Sequence, residues 1–145
     1  GFVSSQPDWK PRCLALNSDG RWNEADADLP AFDSVLRLVR AAKDAGSWAS
    51  LHHVDMPVWQ PALFEALTDR ARRSPAAAIV PRFDARRGHP VFLSPQAQEE
   101  LVETARPDGR LDEWLRARKV EEVDLPYRCI AENWNQGALG GAAAD

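Results

Sequence analysis

Basic residues, paired cysteines and long apolar runs are all scarce in this sequence, and each shortage excludes something. Eighteen Lys and Arg face 22 Asp and Glu, for a formal charge of −4. A nucleic-acid partner usually calls for a basic excess, so none is expected. Cys13 and Cys129 are the only cysteines, lie far apart and belong to no C-x-x-C pair, so neither a zinc site nor a thioredoxin-type motif is encoded. Two reduced thiols are the expectation. No stretch of ~20 apolar residues predicts a membrane span. Gly1-Phe2-Val3-Ser4-Ser5 shows no basic segment leading into an apolar run, so no secretory signal is legible. A cytoplasmic location without membrane association is expected. Also missing are G-x-S-x-G, a Ser-His-Asp set at recognisable spacing and a phosphate-cradling Gly-rich loop.

What is present is ordinary globular composition, 44% apolar and 28% charged, spread over 145 residues with 11 prolines and six tryptophans. That length predicts one domain over 1–145, and so many prolines predict short elements joined by defined turns. Residues 1–31 are poorly patterned, with turns at 6–11 and 17–20. A helix is predicted from near Pro30 to Gly46, capped by Asp33 or Ser34, with Val35, Leu38, Val39 and Ala42 on its buried face. A strand follows at 50–54, a helix from Pro61 with Leu63, Phe64, Leu67 and Ala71 buried, and a strand at 76–80. A polar loop over 82–88 then leads to a return strand at 89–93. Further helices are expected from Ser94-Pro95 to Thr104 and over 110–118, with strands at 120–125 and 128–132. Residues 137–145 read as a frayed tail. Strands alternating with helices imply an α/β fold with a mainly parallel sheet.

Four places could carry chemistry. Asp55 follows an apolar strand, where open α/β sheets bind ligands, and suits Mg²⁺ with substrate phosphates as co-ligands. It equally suits capping of the next helix. His52 and His53, adjacent on a strand, would point to opposite faces, one buried against a helix, and so would not chelate one ion together. Arg82 to Pro90, with Arg86, Arg87, Gly88 and His89, offers guanidinium donors to a phosphate or carboxylate, or is a solvated loop. Asn133-Trp134-Asn135-Gln136 could hold an ion or a ribose, or simply turn the chain.

In order along the chain, these segments resemble the MobA-like NTP transferases, the nucleotidyltransferase family that includes molybdenum-cofactor cytidylyl- and guanylyltransferases. Gln6-Pro7-Asp8-Trp9 resembles the family's N-P-x-W. Phe32-Asp33-Ser34-Val35 resembles the start of its next helix. Leu51-His52-His53-Val54-Asp55-Met56-Pro57 is similar to the strand ending in D-M-P, followed by Pro61-Ala62-Leu63. Ala78 to Phe83 and Arg86 to Phe92 resemble the stretch that ends G-R-R-G-H-P-V-x-F. Asn133 to Gln136 stands in the place of the closing D-x-(D/N)-T-P motif.

The resemblance implies a three-layer, mixed but mainly parallel sheet of the Rossmann-like nucleotide-diphospho-sugar transferase type. It also implies Mg²⁺-dependent transfer of a nucleotidyl group from a nucleoside triphosphate to a phosphorylated acceptor, such as a molybdopterin-type cofactor, with release of pyrophosphate. By the same likeness Asp55 is the catalytic metal ligand and Asn135 a second ligand, with Asn133 as neighbour. Arg87, Gly88 and His89 lie beside the acceptor. The family's L-A-A-G-x-S-x-R-M-G loop, which grips the triphosphate, is not in this sequence; Gln136-Gly137 replaces Thr-Pro, and 13–29 reads as an insertion. The expectation is therefore a C-terminal portion of the fold, incomplete on its N-terminal side, that pairs with another chain or a second copy through an open sheet edge. The alternative is a degenerate, non-catalytic binding module.

Overall fold

The computed structural model describes residues 1–56 and 58–134. Along the chain run β1 (Phe2–Ser4), α1 (Lys10–Leu16), β2 (Trp22–Glu24) and α2 (Ala31–Ala42). Then come β3 (Ala49–Leu51), α3 (Pro61–Ala71), β4 (Ala78–Phe83), β5 (Arg86–Arg87) and β6 (Val91–Leu93). Last come α4 (Pro95–Thr104), α5 (Leu111–Arg116), β7 (Val120–Asp124) and a 3-10 turn at Arg128–Ala131. The tail at 137–145 lies outside the described residues. No helix among the described residues is long and apolar enough to cross a membrane.

The chain forms two compact units. One comprises Gly1–Ala49 and Pro95–Arg118, the other Ser50–Ser94 and the chain from Lys119 onward. In the first, β1 and β2 pair in parallel, Phe2 opposite Trp22 and Ser4 opposite Glu24. The turn expected at 6–11 is instead a 3-10 turn at Pro7–Trp9 running into α1, since proline is tolerated in a helix's first turn. Helix α2 begins one residue after Pro30, with no side-chain cap; Asp33 lies within its first turn and pairs with Arg37 at 2.5 Å. Its buried apolar face is Phe32, Leu36 and Val39; Val39 is buried as expected, whereas Val35, Leu38 and Ala42 are only half-buried. Helix α2 packs against α4, where Ala97 and Leu101 are buried, and Leu115 of α5 is buried as well.

The second unit is built around β4, whose Ala78 to Pro81 are buried because strands flank both of its edges. On one edge β7 runs parallel to it over five residue pairs, from Ala78–Val120 to Arg82–Asp124. On the other edge β5 and β6 run antiparallel, with β3 beyond β6. The sheet is thus mixed, and the mainly parallel expectation holds for the β7 ladder but not for β5 and β6. The loop expected at 82–88 is a hairpin, turned at Asp84 and Ala85, both in the left-handed region at φ 50° and 61°. The strand expected at 128–132 is the 3-10 turn, which buries Cys129 and Ile130. Helix α3 begins at Pro61 as expected and buries Leu63, Leu67 and Ala71, leaving Phe64 half-buried. Cys13 and Cys129 are both free thiols.

Candidate functional site

The return strand has a defect where the Gly-His-Pro corner falls. Between the pairs Ile79–Phe92 and Arg82–Arg87, β4 has two residues and the facing chain has four, Gly88 to Val91. The surplus bulges outward, the usual way a sheet re-aims a side chain. Gly88 N–H donates to Pro81 O at 3.0 Å and His89 N–H to Ile130 O at 3.1 Å, which pins the bulge against the 3-10 turn. The approach is so close that a Cβ on Gly88 would sit 1.6 Å from Ile130 O. Glycine is required there by packing.

Strand β3 stops at Leu51, so His52 and His53 lie in the following turn rather than on the strand, and both are exposed, neither buried against a helix. The turn is closed by Met56 N–H donating to His53 O at 3.2 Å and by the His52 Nε2–H donating to Met56 O at 2.6 Å. The two imidazoles still diverge: His52 meets Phe64 edge-on at 6.3 Å, and His53 meets His89 edge-on at 4.8 Å. His89 Nδ1 is buried and has no hydrogen-bond partner among the described residues. Burial, and then the proximity of His53 and His52, lower the His89 pKa to about 4, against the opposing pull of Asp55. His89 is therefore a neutral imidazole through the physiological range.

Asp55 is half-buried in that turn. It does not cap α3, whose N-cap position is Gln60. Its backbone carbonyl accepts Trp134 N–H at 2.6 Å, so the segment carrying the closing asparagines is tied to the aspartate's own peptide. Among the described residues the Asp55 carboxylate has no hydrogen bond or ion pair. No group of three or more His, Cys, Asp or Glu there could hold an ion unaided. A lone free carboxylate fits a magnesium ion that keeps waters and substrate phosphates as its other ligands, and does not fit an all-protein cage.

Arg87 is engaged elsewhere. Its guanidinium forks onto the Glu122 carboxylate, which also receives Arg82 Nη1 at 2.6 Å, while Arg82 Nε lies 3.1 Å from Asp124. The hydrogen bonds from Arg82 and then Arg87 hold the Glu122 carboxyl below its usual range. Asn135 and Gln136 lie outside the described residues. The fold thus brings Asp55, His53, His89 and Trp134 into one neighbourhood, with Gly88 as its hinge. Two participants escaped the sequence reading: Glu122, which looked like one acid in a short alternating strand, and Trp59, whose ring lies 5.7 Å from that of Trp134.

A family model, the MobA-like NTP transferase domain, matches residues 3–123. The chain belongs to that family. The match starts in β1 and ends in β7, so its span includes Asp55 and the Arg87-Gly88-His89 corner. Among solved structures the chain is similar to molybdopterin-guanine dinucleotide biosynthesis protein A from Archaeoglobus fulgidus, with a TM-score of 0.53 and 14% identity. That alignment covers 85% of this chain and 62% of the other, and establishes a shared fold. No curated protein matches the chain.

Proposed function

We propose that this MobA-like domain takes part in Mg²⁺-dependent nucleotidyl transfer from a nucleoside triphosphate to a small phosphorylated acceptor, a molybdopterin-type cofactor or similar. The observation that carries the reading is the Asp55 carboxylate, without a hydrogen bond or ion pair among the described residues, in a turn at the end of β3, beside the Gly-His-Pro bulge, within a family-matched span. An acceptor phosphate oxygen forms a bond to the α-phosphorus as the bond from that phosphorus to the β-bridging oxygen breaks, and pyrophosphate leaves. Magnesium, when bound, supplies charge neutralisation on the triphosphate and alignment of the reacting groups. Asp55 holds that ion, with Asn135 as its second protein ligand. His89, being neutral, hydrogen-bonds the acceptor without adding charge. Arg87 contributes donors to the acceptor phosphate by exchanging Glu122 for it. Gly88 lets the backbone come close.

A second reading, a non-catalytic binding module, is favoured by Glu122 occupying Arg87. Calorimetric titration of CTP and GTP, with Mg²⁺ and with EDTA, tests the first. Asp55→Ala is expected to lower the Mg²⁺-dependent affinity roughly tenfold or more, the scale of a lost charge contact of about 1.5–3 kcal/mol. Equal affinity would remove Asp55 from the site. Binding without pyrophosphate release, even when a chain bearing the loop is added, would establish the module reading instead.

A further inference from the structure

Three of the six tryptophans, Trp9, Trp59 and Trp134, are exposed, and two of them pair with each other. Trp59 and Trp134 are 46% and 53% exposed, yet their rings are paired, with centroids 5.7 Å apart and planes tilted by 32°. That separation lies in the range of favourable offset aromatic pairs. Each indole therefore pairs with its neighbour while about half of the residue stays open to water. Val54, in the same turn as Asp55, is also exposed, at 90%.

The location is fixed by backbone. The hydrogen bond from Trp134 N–H to the Asp55 backbone O at 2.6 Å ties Trp134 to the peptide that carries the carboxylate, and Trp59 follows Asp55 by four residues. The indole N–H of Trp134 points to Glu132 Oε2 at 3.4 Å, which leaves its carbon face for contact. Among the described residues the Trp59 indole N–H has no hydrogen-bond partner and is available to a ligand edge. A carboxylate suited to a metal-bound phosphate and a pair of open indoles adjoining it make a two-part site, one part for charge and the other for a flat ring.

We propose that Trp59 and Trp134 form a stacking platform for the planar heteroaromatic ring of a phosphate ester whose phosphate lies toward Asp55. The proposal rests on the functional reading above and adds the residues that select a flat, conjugated ligand over a sugar. Such stacking carries little preference among rings, because every heteroaromatic ring has a π-face. The ring can come from the nucleotide or from the acceptor, and ligand choice in the experiment separates these.

The test is titration of the full chain, in Mg²⁺, with guanosine 5′-monophosphate, neopterin phosphate and glucose 1-phosphate. The expected result is that at least one of the two aromatic esters binds about tenfold or more tightly than the sugar phosphate. Whichever is preferred, nucleotide or pterin, identifies the source of the ring. Trp59→Ala and Trp134→Ala, both at exposed positions and checked for folding by circular dichroism, should each reduce that preference by about 5- to 100-fold. Asp55→Ala should weaken all three ligands together and leave the preference intact. If the preference survives in both tryptophan variants, or never appears in the wild type, the platform is overturned. It is also overturned if the wild type sediments as a dimer that both tryptophan variants dissociate, since the patch is then an interface between copies. If the tryptophans set the preference while Asp55→Ala changes nothing, the platform stands and the assignment of Asp55 falls.

Discussion

Protonating His89 means placing a charge in a buried spot that already faces two other imidazoles. The sign of the effect on stability follows. In the unfolded chain the ring titrates near its ordinary value of 6.5, whereas in the fold burial, reinforced by His53 and His52, lowers it to about 4. Between those two values the unfolded chain takes up a proton that the folded chain refuses. The contribution is fully present above pH 6.5 and is lost as the pH falls toward 4. With partial exposure discounted, the loss is roughly 2 kcal/mol. Urea unfolding at a series of pH values should therefore show stability falling across that window, and His89→Asn should flatten the fall. An unchanged acid sensitivity in the variant would place the effect elsewhere. At the same scale, Gly88 explains why the Gly-His-Pro corner needs its glycine: no side chain fits beneath the Ile130 carbonyl.

Among the elements, the β4–β5 hairpin and β7 are joined by charge as well as by their backbone ladders. Arg82 and Arg87 share the Glu122 carboxylate, and their side chains are 30%, 51% and 27% exposed respectively. Pairs so exposed contribute about 0.2–1 kcal/mol each. Glu122→Gln is expected to cost about 1 kcal/mol by urea unfolding at low salt, and much less in 1 M NaCl, where screening acts over ~3 Å. A salt-independent difference would assign the effect to packing. Legibility in the sequence followed the apolar signal: Val91-Phe92-Leu93 announces β6 in three residues, whereas Trp22-Asn23-Glu24 of β2 announces nothing. Helix α3 was readable because Pro61 opens it and Leu63, Leu67 and Ala71 repeat at helical spacing. The strands β1 and β2 span three residues each, too few for alternation to register. The hairpin was missed because Asp84-Ala85 is not a favoured pair for two left-handed positions, and Arg86–Arg87 carries no apolar signal. Asp55 and His89 could be singled out from local motif and position. The Trp59–Trp134 pair could not, since only the fold brings those two distant residues together.

For the whole molecule, chain path matters more than any one contact. Neither compact unit is a continuous segment: Gly1–Ala49 and Pro95–Arg118 are separated by Ser50–Ser94, which belongs to the other unit. Closing the first unit around an unfolded 50–94 segment costs loop entropy, and that cost falls when the segment is itself folded with its ends held. Each unit thus lowers the cost of forming the other, through covalent connection alone. The two free thiols report on this, because Cys13 belongs to the first unit and Cys129, only 1% exposed, to the second. Leu36→Ala removes a fully buried side chain from the first unit, and Leu67→Ala does the same in the second. Each should cost about 2–5 kcal/mol. If opening is concerted, both variants accelerate labelling of Cys129 by a thiol reagent, each by about 30-fold or more, as its own loss of stability requires. Labelling of Cys129 that responds to Leu67→Ala and ignores Leu36→Ala would show that the units open independently, and the coupling through the chain path would then be too weak to matter.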